Sequence, residues 1–142
     1  MQQWPQSRGP KTIKDLDSQS DIPTTATNSP LVDVRDGTRW VDFFPEITGN
    51  TTPLSTVLSG YAESRSYSGG PWHRIPVEEF TAGSGVATQY QYNWTRTLDG
   101  TATENVVPIT VPCIGIEMRL VYLADGADSG SQIDLHVVKR YN

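Results

Sequence analysis

The stretch QIDLHVVKR, Gln132 to Arg140, decides the fold class. Ile133, Leu135 and Val137 alternate with Asp134, His136 and Val138. A period of two places one set on each face of a strand, with the apolar set turned to a core. IEMRLVYLA, residues 116–124, begins the same way. Ile116, Met118, Leu120 and Tyr122 alternate with Glu117 and Arg119 before both faces turn apolar at Val121 and Leu123. Two such segments near the end of a chain argue for sheets rather than helices.

The pattern extends back along the chain. VATQYQYNWTRT, residues 86–97, places Tyr90, Tyr92, Trp94 and Arg96 on one face and Gln89, Gln91, Asn93 and Thr95 on the other. YAESRSY (61–67) alternates as a half-exposed strand, and Arg74 to Phe80 is a weaker one. LSTVL (54–58) reads as a short strand or a single helical turn. LVDV and RWVDFF flank Asp36-Gly37, a turn signal that predicts a hairpin, which Pro45 then stops. Pro108 and Pro112 interrupt Val106 to Ile116 and confine it to a sheet edge or an irregular crossing. Residues 124–132 form a loop. No internal repeat is detectable. The sum is an all-β fold, a β-sandwich or jelly-roll-like body of about seven to eight strands spanning residues 31–142.

Residues 1–30 differ. Pro5, Pro10, Pro23 and Pro30 punctuate a segment with few apolar residues. Its expected state is an extended or disordered N-terminal arm. Lys11 to Ser18 admits one short turn of helix around Ile13 and Leu16. Trp4, Ile13, Leu16 and Ile22 would be wasted in a solvated tail, which favours an arm that orders against another surface.

The 142 residues suit one domain. The net charge is −5, and the 11 basic residues are scattered. Nucleic acid and anionic membranes are therefore unfavoured partners. No stretch approaches the roughly 20 apolar residues of a membrane span. Met1 is followed by QQWPQSRGPK, which lacks the apolar run of a secretion signal. A single cysteine allows no internal disulfide.

Candidate chemistry is sparse. His73 and His136 fall on separate strands and lack the further ligands of a zinc site. His136 lies opposite the apolar row and reads as a surface residue. Cys113, in VPCIGI, has apolar neighbours and reads as a buried structural thiol. Glu78 and Glu79 are adjacent, so a strand sends them to opposite faces. Asp125 and Asp128 in ADGADSGS could supply oxygen ligands to calcium, but the EF-hand spacing is absent. The sequons at Asn50 and Asn93 fit a Thr-rich composition. Hydrolase, phosphate-loop and dinucleotide motifs are absent. The expectation is no enzyme, no cofactor and no metal.

Two readings follow. The arm, Met1 to Pro30, and the strand-rich body, Leu31 to Asn142, together resemble the small β-sandwich proteins of virus particles, especially the decoration or cement proteins on tailed-bacteriophage heads. That resemblance implies a virion location and a homo-oligomer, guessed as a trimer, seated on the major capsid protein or another virion protein. Trp4, Ile13, Leu16 and Ile22 would then be the partner-binding residues. Residues 1–42 hold five basic and six acidic residues, so the arm suits a protein partner rather than a packaged genome. A tail or fibre component would look much the same. The second reading is a carbohydrate-binding module, with Tyr90, Tyr92 and Trp94 as a stacking platform. The competing role for those aromatics is to fill the sandwich interior.

Overall fold

The computed structural model describes residues 9–50, 56–75, 78–80, 87–89, 94–98, 103–127 and 130–142. Among these residues thirteen strands run β1 (Lys11–Gln19), β2 (Thr27–Asn28), β3 (Val32–Asp33), β4 (Trp40–Thr48), β5 (Val57–Arg65), β6 (His73–Arg74), β7 (Glu78–Phe80), β8 (Ala87–Gln89), β9 (Trp94–Thr97), β10 (Thr103–Asn105), β11 (Ile109–Pro112), β12 (Glu117–Asp125) and β13 (Gln132–Arg140). No helix occurs among the described residues. The fold is an all-β sandwich.

The first sheet has five strands, ordered β1-β13-β4, with β10 and β11 sharing the far edge of β4. The second has six. Its central pair is β12-β5, with β2 and β3 sharing one edge and β6 and β9 the other. A separate hairpin joins β7 and β8. Every pairing is antiparallel. Residues 31–142 hold eleven described strands, β3 to β13, against the seven or eight expected, in part because three sheet edges are each built from two short segments in succession. Single polar groups bridge the handovers. Ser29 donates its amide to Leu120 and accepts the Leu120 amide on its hydroxyl, which fills the gap between β2 and β3.

Two nine-residue pairs form the centre. In β4-β13, Val41, Phe43 and Ile47 lie on the same face as Ile133, Leu135 and Val137. In β5-β12, Leu58 and Ala62 share a face with Met118, Leu120, Tyr122 and Ala124. These inner faces make one buried apolar cluster, as expected for two stacked sheets.

Three expectations change. The segments around Asp36-Gly37 do not form a hairpin. β3 pairs with β12 and β4 pairs with β13, so the turn is a corner between sheets. Pro45 does not stop its strand. In an antiparallel strand, a residue's N–H and C=O point to the same side, and the Pro45 carbonyl accepts from Val106. The missing N–H therefore falls where β10 gives way to β11, and the β13 side loses nothing. Lys11 to Ser18 is strand, not a helical turn. β1 pairs with β13 on both sides of a bulge at 14–16, where Asp15 has φ of 51°.

The N-terminal segment is thus ordered against its own body from Lys11 onward. Ile22 is 4 % exposed in the core, and Ile13 and Leu16 pack on it half-buried. Asp17 reaches between the sheets and accepts the Tyr122 hydroxyl at 2.6 Å. Burial and this partner push the phenol well above its ordinary range.

At the opposite end of β1, the sandwich is closed by charge. The Lys139 ammonium lies 2.6 Å from Asp36, whose carboxylate also accepts from Thr38 and Tyr141. Gly115, at φ 74°, passes over the end of β5, where a Cβ would meet the Arg65 carbonyl at 2.5 Å. Only glycine fits that crossing.

Candidate interaction surfaces

With the inner faces spent on the core, recognition falls to the outer faces. On the second sheet, Arg65 stands opposite Glu117 and Arg119 opposite Glu63. Opposite charges in directly facing positions are the favourable cross-strand arrangement. The Arg65 Nε and Nη2 donate to the two Glu117 oxygens at 3.2 and 3.3 Å. The Arg119 Nε donates to Glu63 at 2.8 Å. The turn after β5 then folds Trp72 back over both guanidinium groups, at 4.5 Å from Arg65 and 4.4 Å from Arg119. Gly70 lets the exposed Tyr67 ring lie against this turn, where a Cβ would meet it at 2.9 Å. Arg74 covers Tyr61 at 3.8 Å. At the sheet edge, hydrogen bonds from Arg35 hold the Asp33 carboxyl down at about 2.

The outer face of the first sheet differs. Along β4 the outward residues are Trp40, Asp42, Phe44 and Glu46. Asp42 is buried there because Arg140 grips it with two bonds of 2.7 and 3.0 Å and Thr110 donates at 2.7 Å. Trp40 and Phe44, on either side, remain 38 % and 37 % exposed. Past β10 the chain stays beside β4, because the Val106 amide donates to the Pro45 carbonyl, and Val107 follows directly. Val107 is 63 % exposed. Arg140 lies 5.8 Å from the Trp40 ring. The result is an apolar row with an arginine fixed at one end.

The two faces are chemically unequal. On the second sheet Arg65, Glu117, Arg119 and Glu63 pair within the chain, and Trp72 lies over both arginines. On the first, two aromatics and a valine remain more than a third exposed, with Arg140 beside Trp40. Aromatics with arginine are the composition enriched in protein interfaces.

The sequence-derived candidates distribute as follows. Ile13, Leu16 and Ile22 rest on the chain's own core, while Trp4 lies outside the described residues. Tyr90 and Tyr92 also lie outside them. Trp94 is described as backbone only. β9 sets Trp94 opposite Gly60 and Arg96 opposite Leu58, which is buried in the core, so the strand runs in phase with inner positions. Arg96 reaches the Thr95 and Pro108 carbonyls. Cys113 is half-buried, and burial pushes its thiol up to about 11, which suits packing better than nucleophilic attack. His136 is not a free surface residue. It sits between Asp15 and Glu46. Asp125 is exposed, and Asp128 lies outside the described residues. Among the described residues no three potential metal ligands converge.

Trp40 and Phe44 were hidden in sequence. RWVDFF reads in sequence as one arm of a hairpin, and the burial of Asp42 beneath Arg140 obscures the alternation that turns Trp40 and Phe44 outward.

Comparison with known proteins adds little. No family model matches the chain, and no curated protein matches it. A solved structure described as the SPBc2 prophage-derived protein YomS is similar over 92 % of each chain, with 8 % identity and a TM-score of 0.42.

Proposed function

We propose that this chain is a structural component of a phage particle, a decoration or cement protein that seats on the major capsid protein or another virion protein. In this reading the contact is made by the outer face of the first sheet. The observation that carries it is the exposed row Trp40, Phe44 and Val107 beside Arg140. A group of exposed large apolar residues on one face marks an interaction site. The role is binding, without catalysis and without a cofactor. A homotrimer is the assembly proposed. The acidic balance of the chain favours a protein partner over nucleic acid.

This reading moves the contact from the arm to the body. Ile13, Leu16 and Ile22 are already occupied, so they cannot serve a partner without first leaving β13 and the core. A tail or fibre position would use the same face.

The test is a double substitution, Trp40→Ser with Phe44→Ser. Both side chains point outward, so the melting temperature should change little. Hot-spot aromatics contribute about 2 kcal/mol or more each, so binding to particles lacking this protein should weaken at least about 30-fold. Unchanged binding would remove this face from the mechanism.

A further inference from the structure

His136 holds the bulge of β1, and the geometry specifies its protonation state. The Asp15 amide donates to the His136 Nδ1 at 3.0 Å. An N–H can donate only to a ring nitrogen that carries no proton. The other ring nitrogen, Nε2, lies 3.1 Å from the Glu46 carboxylate, which requires a proton on Nε2. Both contacts are satisfied together only by the neutral ring with its hydrogen on Nε2.

Adding a proton breaks this arrangement at one point. Nδ1 becomes a donor, and the Asp15 amide faces it as a second donor. The Asp15 carboxylate, 3.5 Å from Nδ1, is placed to take the new proton's bond instead. The exchange swaps an amide contact for a carboxylate contact on the same residue. Asp15 is also the one non-glycine residue with positive φ among the described residues, a conformation that needs external support. Losing the imidazole acceptor removes that support.

We propose that His136 is a proton-sensitive latch on the N-terminal strand. The neutral ring holds the Asp15 amide, and protonation releases that amide while the Asp15 carboxylate keeps the bulge on the ring, between the two paired halves of β1. Each half keeps three paired residues on β13, Lys11 to Ile13 and Asp17 to Gln19. The charged groups around the ring are Asp15 from β1, Glu46 from β4 and Asp134 on β13 itself, with Lys14 acting on Asp134. The Asp15 amide can bond only the unprotonated Nδ1, and the Asp15 carboxylate only the protonated one. The switch is therefore a choice between two bonded arrangements, and it does not depend on the particle reading.

The experiment is NMR on the full chain between pH 8 and pH 5.5, above the ordinary carboxylate range of about 4. Ring nitrogen shifts should show Nε2–H at pH 8. Amide exchange at Asp15, corrected for the intrinsic pH trend, should lose about five- to tenfold protection as the ring charges, while Lys139 and Leu135 keep theirs. In His136→Asn the side-chain oxygen replaces the acceptor without titrating, so protection should persist at both pH values. A proton on Nδ1 at pH 8 would overturn the proposal. So would Asp15 protection that does not follow ring titration. The tautomer measurement on the unaltered chain decides the matter even if the variant fails to fold.

Discussion

Lys139 ends the inward row of β13, after Ile133, Leu135 and Val137, and is 5 % exposed. Its ammonium can lie there only because Asp36 is 2.6 Å away. Burial opposes a charge on Asp36, yet Lys139, Thr38 and Tyr141 together hold its carboxyl below the ordinary range. A depressed carboxylate contributes stability above its unfolded value and loses it as pH falls through the folded one. Asp36 should thus steepen acid unfolding below about pH 4, and Asp36→Asn should flatten that limb. Asp36→Ala leaves the ammonium buried and unpaired. The cost should be about 3 kcal/mol, the lower end for a broken buried pair, because Asp36 itself is 30 % exposed. Urea unfolding at pH 7 measures it. Tyr122→Phe removes the bond to Asp17 and should cost about 1.5–3 kcal/mol, as for a bond to a charged acceptor. The same titration reads it. Both substitutions act through groups whose sequence neighbours gave no hint of pairing, since Asp36 and Lys139 are 103 positions apart.

At the scale of elements, legibility followed burial. β12 and β13 lie at sheet centres with one face in the core, so their alternation was plain in the sequence. RWVDFF was legible as strand but not as to partner. A turn signal reports that the chain reverses, and a corner between sheets reverses it as well as a hairpin does. β1 was illegible because its bulge breaks the period of two. Lys14, Asp15 and Leu16 insert two extra residues opposite His136, and the apolar spacing of Ile13 and Leu16 then imitates a helical turn. Of the interaction surface, sequence supplied the aromatic residues but not their exposure. A truncation tests the status of the N-terminal strand. Removing residues 1–9 leaves every described strand pair in place and should leave the melting temperature nearly unchanged. Removing 1–30 takes away β1, β2 and Ile22, uncovers Tyr122 and opens the β13 edge. That protein should unfold cooperatively at a much lower temperature or aggregate through the exposed strand. A stable, monomeric truncated body would show that the segment is an appendage after all.

For the whole molecule, the sandwich separates two tasks. The inner faces supply a continuous core, and the corner at Asp36, the Asp17–Tyr122 bridge and the crossing at Gly115 tie the sheets at several points. On the second sheet's outer face Arg65, Glu117, Arg119 and Glu63 pair with one another, and Trp72 lies over both arginines. On the first sheet's outer face Trp40 and Phe44 remain more than a third exposed. This asymmetry suits the proposed docking face on the first sheet. The central claim is that this face joins the chain to a phage particle. The most direct measurement is quantitative mass spectrometry of purified particles made from the genome that encodes the chain, compared with particles carrying Trp40→Ser and Phe44→Ser. The account predicts the unaltered chain in fixed proportion to the major capsid protein, and a depletion of at least about 30-fold for the folded variant. Absence of the unaltered chain from the particles, or full incorporation of the variant, would contradict it.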